Sequence, residues 1–386
     1  MNQQRAFQPG RGIVPFLQQS WIAWVWLASM GGHYLVLGIR TGGDTGRYVD
    51  GAERLLKGLP LEGKQPMYLL YNSFLALVFG SGFGELAVIL LQCLLTLGTA
   101  LLIYLATREI FNKSVGMMAT GVFLLNPDVQ RWVFFILPEA MATCALIALL
   151  CLALLVQNHQ RWVVPALLMA VMVGLARPEG KYFLLPVVIH WALYLKSPYR
   201  WQALSMLGIF IGLLLVTVNA DTHENFARHM IQGDYIWGYP GLNPHPDQAL
   251  IRISEQGPFA TLIYMLQHEY VLLGKTIAWR VWMFFAHTRP FYSTMHNLLA
   301  FSFCAVLYFF SILAWWRCRE HRSHFVLLWL AILVQLSMVA LTFDDWDGRW
   351  LNRVMPVLTI LAAAGSVGLL RRLFIFSKQR DACADP

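Results

Sequence analysis

The stretch LAVILLQCLLTLGTALLIYLA, residues 86–106, decides the class of the fold. It holds no charged side chain. Wound as an α-helix at ~1.5 Å per residue it reaches ~30 Å, the thickness of a bilayer's hydrocarbon core. A soluble surface helix would keep a polar stripe, and this run has none. A second run of the same kind, LLAFSFCAVLYFFSILAWW, covers residues 298–316. Over all 386 residues, 58% are hydrophobic, 14% aromatic and 13% charged, with a mean hydropathy of +0.53. Soluble domains carry roughly 25% charged residues, so water cannot be the main solvent for this chain. The alternating segments of ~10 residues that build a membrane β-barrel are absent. The expectation is a single all-α polytopic membrane domain over 1–386.

About ten apolar runs are long enough to cross: roughly 16–39, 85–106, 113–130, 138–156, 162–176, 182–196, 203–219, 296–316, 325–343 and 354–370. Two apolar stretches remain. Residues 65–80 are interrupted by Asn72 and flanked by glycines, which suits a helix at the interface. Residues 259–292 mix Trp279, Trp282, Phe284 and Phe285 with Lys275, Arg280, His287 and Arg289, which also suits an interface. With this map Arg5, Arg11, Arg108, Lys113, Arg161, Lys196, Arg200, Arg317, Arg319, Arg322 and the cations after residue 370 share one side. All but Glu109, Glu320, Asp381 and Asp385 of the 21 acids fall on the other. The positive-inside rule then puts both termini in the cytoplasm and leaves outward loops near 40–84, 220–295 and 344–353.

The net charge of +8 does not point to nucleic acid, because the cations sit in short loops between apolar runs. Of six cysteines (Cys93, Cys144, Cys151, Cys304, Cys318, Cys383) none forms a C-x-x-C pair and most lie within apolar runs. No disulfide framework or zinc site is expected. Residues 22–39 lack a small-residue cleavage site and read as a retained helix. No internal repeat stands out.

Four outward groups could carry chemistry. The first loop, from Arg40 through Gly42-Gly43-Asp44-Thr45-Gly46-Arg47-Tyr48 to Lys64-Gln65-Pro66-Met67-Tyr68, puts a carboxylate just beyond a membrane helix with Arg47 one turn on. The alternative is a solvated loop with surface ion pairs. Next come Asn126-Pro127-Asp128 with Arg131, and Pro138-Glu139. Glu139 stands among apolar neighbours, where an ionisable group signals either function or a helix N-terminus. Arg177-Pro178-Glu179-Gly180-Lys181 offers a guanidinium suited to phosphate or carboxylate, or else a structural pair with Glu179 or Glu139. Asp344-Asp345-Trp346-Asp347-Gly348-Arg349 to Arg353 packs acids and arginines at one helix end. Mutual ion pairing is one reading and a divalent metal the other, though the spacing matches no metal motif. The outward histidines are scattered and pair in no ligand spacing.

In this order and on one side, these groups resemble the bacterial GT-C glycosyltransferases related to dolichyl-phosphate-mannose protein mannosyltransferases and to the lipid A aminoarabinose transferase. The resemblance rests on Asp44, Tyr48, Leu55, Leu56 and Gly58, on Lys64 to Tyr68, on Tyr104 to Phe111, on Asn126-Pro127, on Glu139, on Arg177 to Gly180, and on Arg349 to Pro356. It covers the first ~190 residues well and the last helices moderately. Many relatives carry two adjacent acids in the first loop, and here Thr45 follows Asp44.

The resemblance implies a GT-C fold and inverting transfer of a sugar from a polyprenyl-phosphate donor to a lipid, glycan or protein acceptor at the outer face of a bacterial inner membrane. Asp44 is then the base, with Glu139 orienting Arg177, the acceptor or a metal. Arg47, Lys64 and Arg177 hold the donor phosphate, and Tyr48, Glu179, Asp347 and Arg349 serve the acceptor or the charge network. Segment 65–80 guides the lipid tail. No cofactor is required by a motif, and a divalent metal is left open. A transporter or flippase is the alternative. It would want polar groups near mid-membrane and related halves, whereas here the ionisable groups lie at outer helix ends. A non-catalytic assembly subunit is a third reading.

Overall fold

The computed structural model describes residues 20–196, 200–217, 223–343 and 347–382. The start of the first apolar run and the positions of Arg5, Arg11, Asp221, Asp344, Asp345, Trp346, Cys383 and Asp385 lie outside the described residues. The described chain is helical, and each of the ten apolar runs contains a helix. They are α1 (Ser20–Leu37), α4 (Glu85–Ile110), α5 (Lys113–Leu125), α6 (Glu139–Val156), α7 (Val163–Ala176), α8 (Leu184–Tyr194), α9 (Trp201–Thr217), α14 (Thr294–Arg317), α15 (Arg322–Leu341) and α16 (Arg349–Ala382). Of these α4, α6, α14, α15 and α16 contain windows long and apolar enough to span a bilayer by themselves. The protein is an integral membrane protein.

The two leftover stretches fold short. Segment 65–80 is a 3₁₀ turn, Gln65–Tyr68, followed by α3 (Leu69–Gly80), whose 12 residues span only ~18 Å. It packs on α2 (Thr45–Leu56). Gly51 of α2 meets the side chain of Asn72 there, since a Cβ would come within 2.9 Å of its amide. Residues 258–286 form α12 (Pro258–His268) and α13 (Tyr270–Ala286). With α10 (His223–Ile231) and α11 (Gln248–Ser254) they build a small cap on Met230, Ile231, Leu250, Met265 and Leu273.

Two helices form the centre. Every residue of α6 except Thr143 is buried, as are Leu351 to Val367 of α16. Buried all round, both are wrapped by other helices, with the few polar side chains of α16, such as Arg353, enclosed as well. Small residues let them be approached closely, as in other membrane bundles. At Gly365 the carbonyl oxygen of Phe310 on α14 lies where a Cβ would stand, and Ala314 N is within 2.9 Å of that point. A second, smaller core joins Met30 of α1, α2, α3, the start of α4 and residues 132–141. It lies at one end of the bundle and carries the site described below. At the other end Phe111 meets His321 edge-on and stacks on Phe325 (centroids 4.8 and 5.6 Å), and His159 lies 3.2 Å from Glu109, so the basic connections after α4, α6 and α14 gather there.

Gly365→Ala should therefore displace backbone and cost about 1–3 kcal/mol, read as a lower melting temperature in detergent. Gly368→Ala, whose Cβ would meet only Cys318 Sγ at 3.4 Å, should melt like the parent protein.

Candidate functional site

The first loop is strapped to the segment before α6. Arg40 N–H donates to Phe134 O (2.8 Å), and Ile136 N–H donates to Arg40 O (3.0 Å). The buried Thr45 hydroxyl accepts from Gly42 N–H (2.8 Å) and donates to Ile136 O (3.1 Å). Thr45, standing where many relatives carry a second acid, is thus a fastener. The strap fixes Asp44 beside the chain that leads into Glu139. Asp44 is the N-cap of α2 but makes no capping bond. Its carboxylate instead lies 3.2 Å from Arg47, both about two-fifths exposed. Arg47 is paired with Asp44 and does not enter the buried cluster. Asp50, which the sequence reading gave no role, accepts from Gln65 Nε2 (2.5 Å) and helps hold the 3₁₀ turn.

The cluster itself is built from three distant segments. Glu139, at the first turn of α6, accepts from Arg177 Nη1 (2.6 Å) and from Arg349 Nη1 (3.1 Å). Glu179 accepts from Arg353 Nη1 (2.5 Å), and Arg177 Nε lies 2.7 Å from the same oxygen. Four of these five side chains are almost wholly inaccessible, and Arg349 is one-fifth exposed. Burial would raise the Glu179 carboxyl, but the Arg177 and Arg353 guanidiniums outweigh it and hold it at about 2. Burial works against the charge on Arg177, and Glu179 and Glu139 more than restore it. Among the described residues three guanidiniums, of Arg177, Arg349 and Arg353, face the two carboxylates of Glu139 and Glu179. Glu139 Oε2 is buried without a hydrogen-bond partner among the described residues, which leaves an acceptor open to a hydroxyl. Arg177 pairs with Glu139 and with Glu179, as the structural reading of the sequence had it.

On one side of the cluster lies a polar cavity of about 290 Å³ lined by Gly42, Gly43, Asp44, Trp132, Asp347, Arg349 and Trp237. It is close to the small end of small-molecule sites, ~300 Å³. Arg349 belongs to both cavity and cluster, with its guanidinium 5.5 Å from the Trp132 ring centre. Arg131 donates to Asp347 O (2.8 Å) and fixes that wall. An apolar groove of about 710 Å³ lies between α3, α4, α6 and α7. Leu70, Phe74, Leu95, Met141, Ala148 and Met172 are among its walls. Met141 stands two residues after Glu139, and Leu70 two after Tyr68, whose ring centre is 5.9 Å from Arg177. The groove therefore runs up to the cluster. Tyr48 packs edge-on to Tyr68 and Tyr71 at 5.0 and 5.5 Å. Burial, aided by Tyr68 and Glu139, pushes its phenol well above the ordinary range, so it is a neutral donor. Lys64 opens the 3₁₀ turn that carries Tyr68 and has no ion-pair partner among the described residues.

Arg353, Trp132, Tyr68 and Trp237 are functional candidates outside the expected set. Arg353 follows Arg349 by one helical turn, a spacing visible in the sequence. Trp237 comes from the cap, and nothing local in the sequence signals its approach. Among the described residues no three His, Cys, Asp or Glu side chains converge as metal ligands, though Asp44 and Asp347 line one cavity.

Residues 63–220 match the family model described as dolichyl-phosphate-mannose-protein mannosyltransferase. No curated protein sequence matches the chain. Among solved structures the chain is similar to ArnT from Cupriavidus metallidurans in the apo state and bound to undecaprenyl phosphate. Each match has a TM-score of 0.53 and 14% identity, over 90% of this chain and 60% of that one. It is also similar to the archaeal oligosaccharyltransferase AglB from Archaeoglobus fulgidus, in complex with an inhibitory peptide and a dolichol-phosphate. That match has a TM-score of 0.51 and 12% identity, over 96% of this chain and 53% of that one. The chain thus spans about three-fifths or less of the length of each of these proteins. Residues 63–220 carry the signature of the mannosyltransferase family model, and the described chain as a whole has the GT-C fold that the sequence resemblance implied.

Proposed function

We propose that the protein transfers a sugar, with inversion, from a polyprenyl-phosphate carrier to a lipid, glycan or protein acceptor at the outer face of the membrane. The observation that carries this reading is a conjunction: an apolar groove whose walls adjoin Glu139 and Tyr68 in the chain, a buried arginine–carboxylate cluster, and a polar cavity that shares Arg349 with the cluster and has a carboxylate on its wall. A prenyl tail suits the groove, a phosphate the cluster, and a sugar the cavity. The solved relatives carrying undecaprenyl phosphate or dolichol-phosphate support the same donor class.

In this reading the acceptor hydroxyl attacks the anomeric carbon from the face opposite the phosphate, and Asp44 takes its proton. The bond from the anomeric carbon to the phosphate oxygen breaks, and the electron pair leaves on the phosphate. That group needs no proton to depart, but its charge needs fixed cations. Arg177, Arg349 and Lys64 supply them, and Arg47 serves by holding Asp44. Glu139 fixes Arg177 and Arg349, and its open Oε2 takes a sugar or acceptor hydroxyl. Where the chemistry uses a divalent cation, Asp44 and Asp347 would hold it and it would add positive charge near the phosphate. The charged groups stand at one end of the bundle and not at its mid-depth, which argues for surface chemistry over transport. The basic connections at the far end support a cytoplasmic placement of that end and of both termini in a bacterial inner membrane.

Sidedness has a direct test. Gly46 is exposed and its Cβ position is open, and Ser114 is exposed at the other end. In sealed cells Gly46→Cys should react with an impermeant thiol reagent and Ser114→Cys should not. The reverse pattern would invert the map.

Asp44→Asn keeps shape and one acceptor but cannot take a proton. With purified protein and an undecaprenyl-phosphate sugar, its single-turnover rate should fall about 10²–10⁴-fold. Glu53→Gln, on the exposed face of the same helix and paired only with Lys57, is the comparison and should change the rate little. Equal rates would remove Asp44 from the chemistry.

A further inference from the structure

A buried cation helps tie the cap to the membrane bundle. Arg280 of α13 is fully inaccessible. It donates through Nε to Asp234 O (2.7 Å), through Nη2 to His229 O (3.2 Å) and through Nη1 to Ala340 O near the end of α15 (3.1 Å). Three backbone carbonyls from two parts of the chain are thereby held in one plane of donors. His229 in turn lies 2.6 Å from Asp234. The turn that follows, residues 234–239, is fixed by these contacts and delivers Trp237 to the wall of the polar cavity, across from Asp44 and Arg349.

Trp237 is not a core residue. Its ring touches His229 and Phe343 at 4.9 and 5.4 Å, and 47% of its surface remains accessible. Leaving a tryptophan that exposed beside a polar cavity wastes apolar surface unless something covers it. A pyranose has one face of C–H groups, weakly positive and apolar, that packs on the negative face of an indole, while its hydroxyls turn to carboxylates and guanidiniums. The cavity offers both kinds of wall. We propose that Trp237 is the platform on which the donor's sugar lies, that Arg280 is its positioning residue, and that the cap selects the sugar independently of the groove that holds the lipid. This deepens the transferase reading and rests on it.

The experiment compares binding of undecaprenyl phosphate, which has no sugar, with undecaprenyl phosphates carrying glucose, mannose, galactose or arabinose, on the full chain in nanodiscs. Trp237→Ala, Trp237→Leu and Trp237→Phe are measured beside the parent protein, with a thermal melt of each. Leu keeps an apolar contact to Phe343 without an aromatic face, so loss of folding in the Ala variant does not decide the matter. The sugar-bearing ligand that the parent binds most tightly should weaken about tenfold or more in the Ala and Leu variants, as when an aromatic anchor is truncated. Phe should retain most of the affinity, and sugarless undecaprenyl phosphate should bind all variants alike. Equal weakening of sugarless and sugar-bearing ligands, or no weakening of either, would overturn the platform while leaving the transferase reading standing. A parent protein that binds no undecaprenyl phosphate would instead overturn that reading, and this inference with it.

Discussion

The carboxylate of Glu139 holds the working end of the molecule together. It belongs to a helix apolar on every side, in a place where an unpaired charge would be very costly. Arg177 from the turn after α7 and Arg349 from the start of α16 must both reach it. Glu179 then gathers Arg177 and Arg353 on a second carboxylate. Residues 38 to 210 positions apart are thus brought within a few ångströms. Removing one partner from such a cluster typically costs ~3–5 kcal/mol, because the others are left buried and unbalanced. The cluster is therefore structural and electrostatic at once: among the described residues the same pairing that locks these segments gathers three guanidiniums around two carboxylates. A bundle closed by apolar contacts alone would lack that fixed charge.

The rest of the site is arranged around this lock by separate devices. The first-loop strap needs only backbone groups and the Thr45 hydroxyl, so it places Asp44 without consuming its carboxylate. α3, too short to cross, fills the space beside α2 and gives the groove one of its walls. The cap contributes Trp237 from far along the chain. The strap and α3 share one core, while the cap has its own, so the cavity is walled by parts that are built separately.

Much of this was legible in the sequence, and the reason differs by residue. The apolar runs report their helices because lipid demands continuous apolar length. Glu139 announced itself as a charge in an apolar setting, and Arg177 with Glu179 as a charged turn between two such runs. Of the alternatives weighed for Arg177, phosphate ligand or ion-pair partner, the described contacts are ion pairs with Glu139 and Glu179. Arg47 shows the limit of sequence proximity: it sits near the expected chemistry, yet its described ion pair is with Asp44 on the loop surface. Trp132, Tyr68 and Trp237 were hidden because an aromatic in a membrane protein has many ordinary uses, and only tertiary packing tells which one faces a cavity. Asp344 and Asp345, central to the metal reading, lie outside the described residues.

The groove contrasts with the cluster in how firmly it is made. Its walls include Met141, Met169 and Met172 beside Cys144 and several leucines. Methionine side chains are unbranched and polarisable and conform to whatever lies against them, while the guanidinium–carboxylate lattice above them allows almost no play. A flexible hydrocarbon with bends at its double bonds can be received by such a lining in more than one shape. Under the proposed transferase reading, such a site would be lenient toward one end of its ligand and exacting toward the other. Carriers differing in tail length or saturation would then be interchangeable in the groove, with selection left to the cluster and the cavity beyond it.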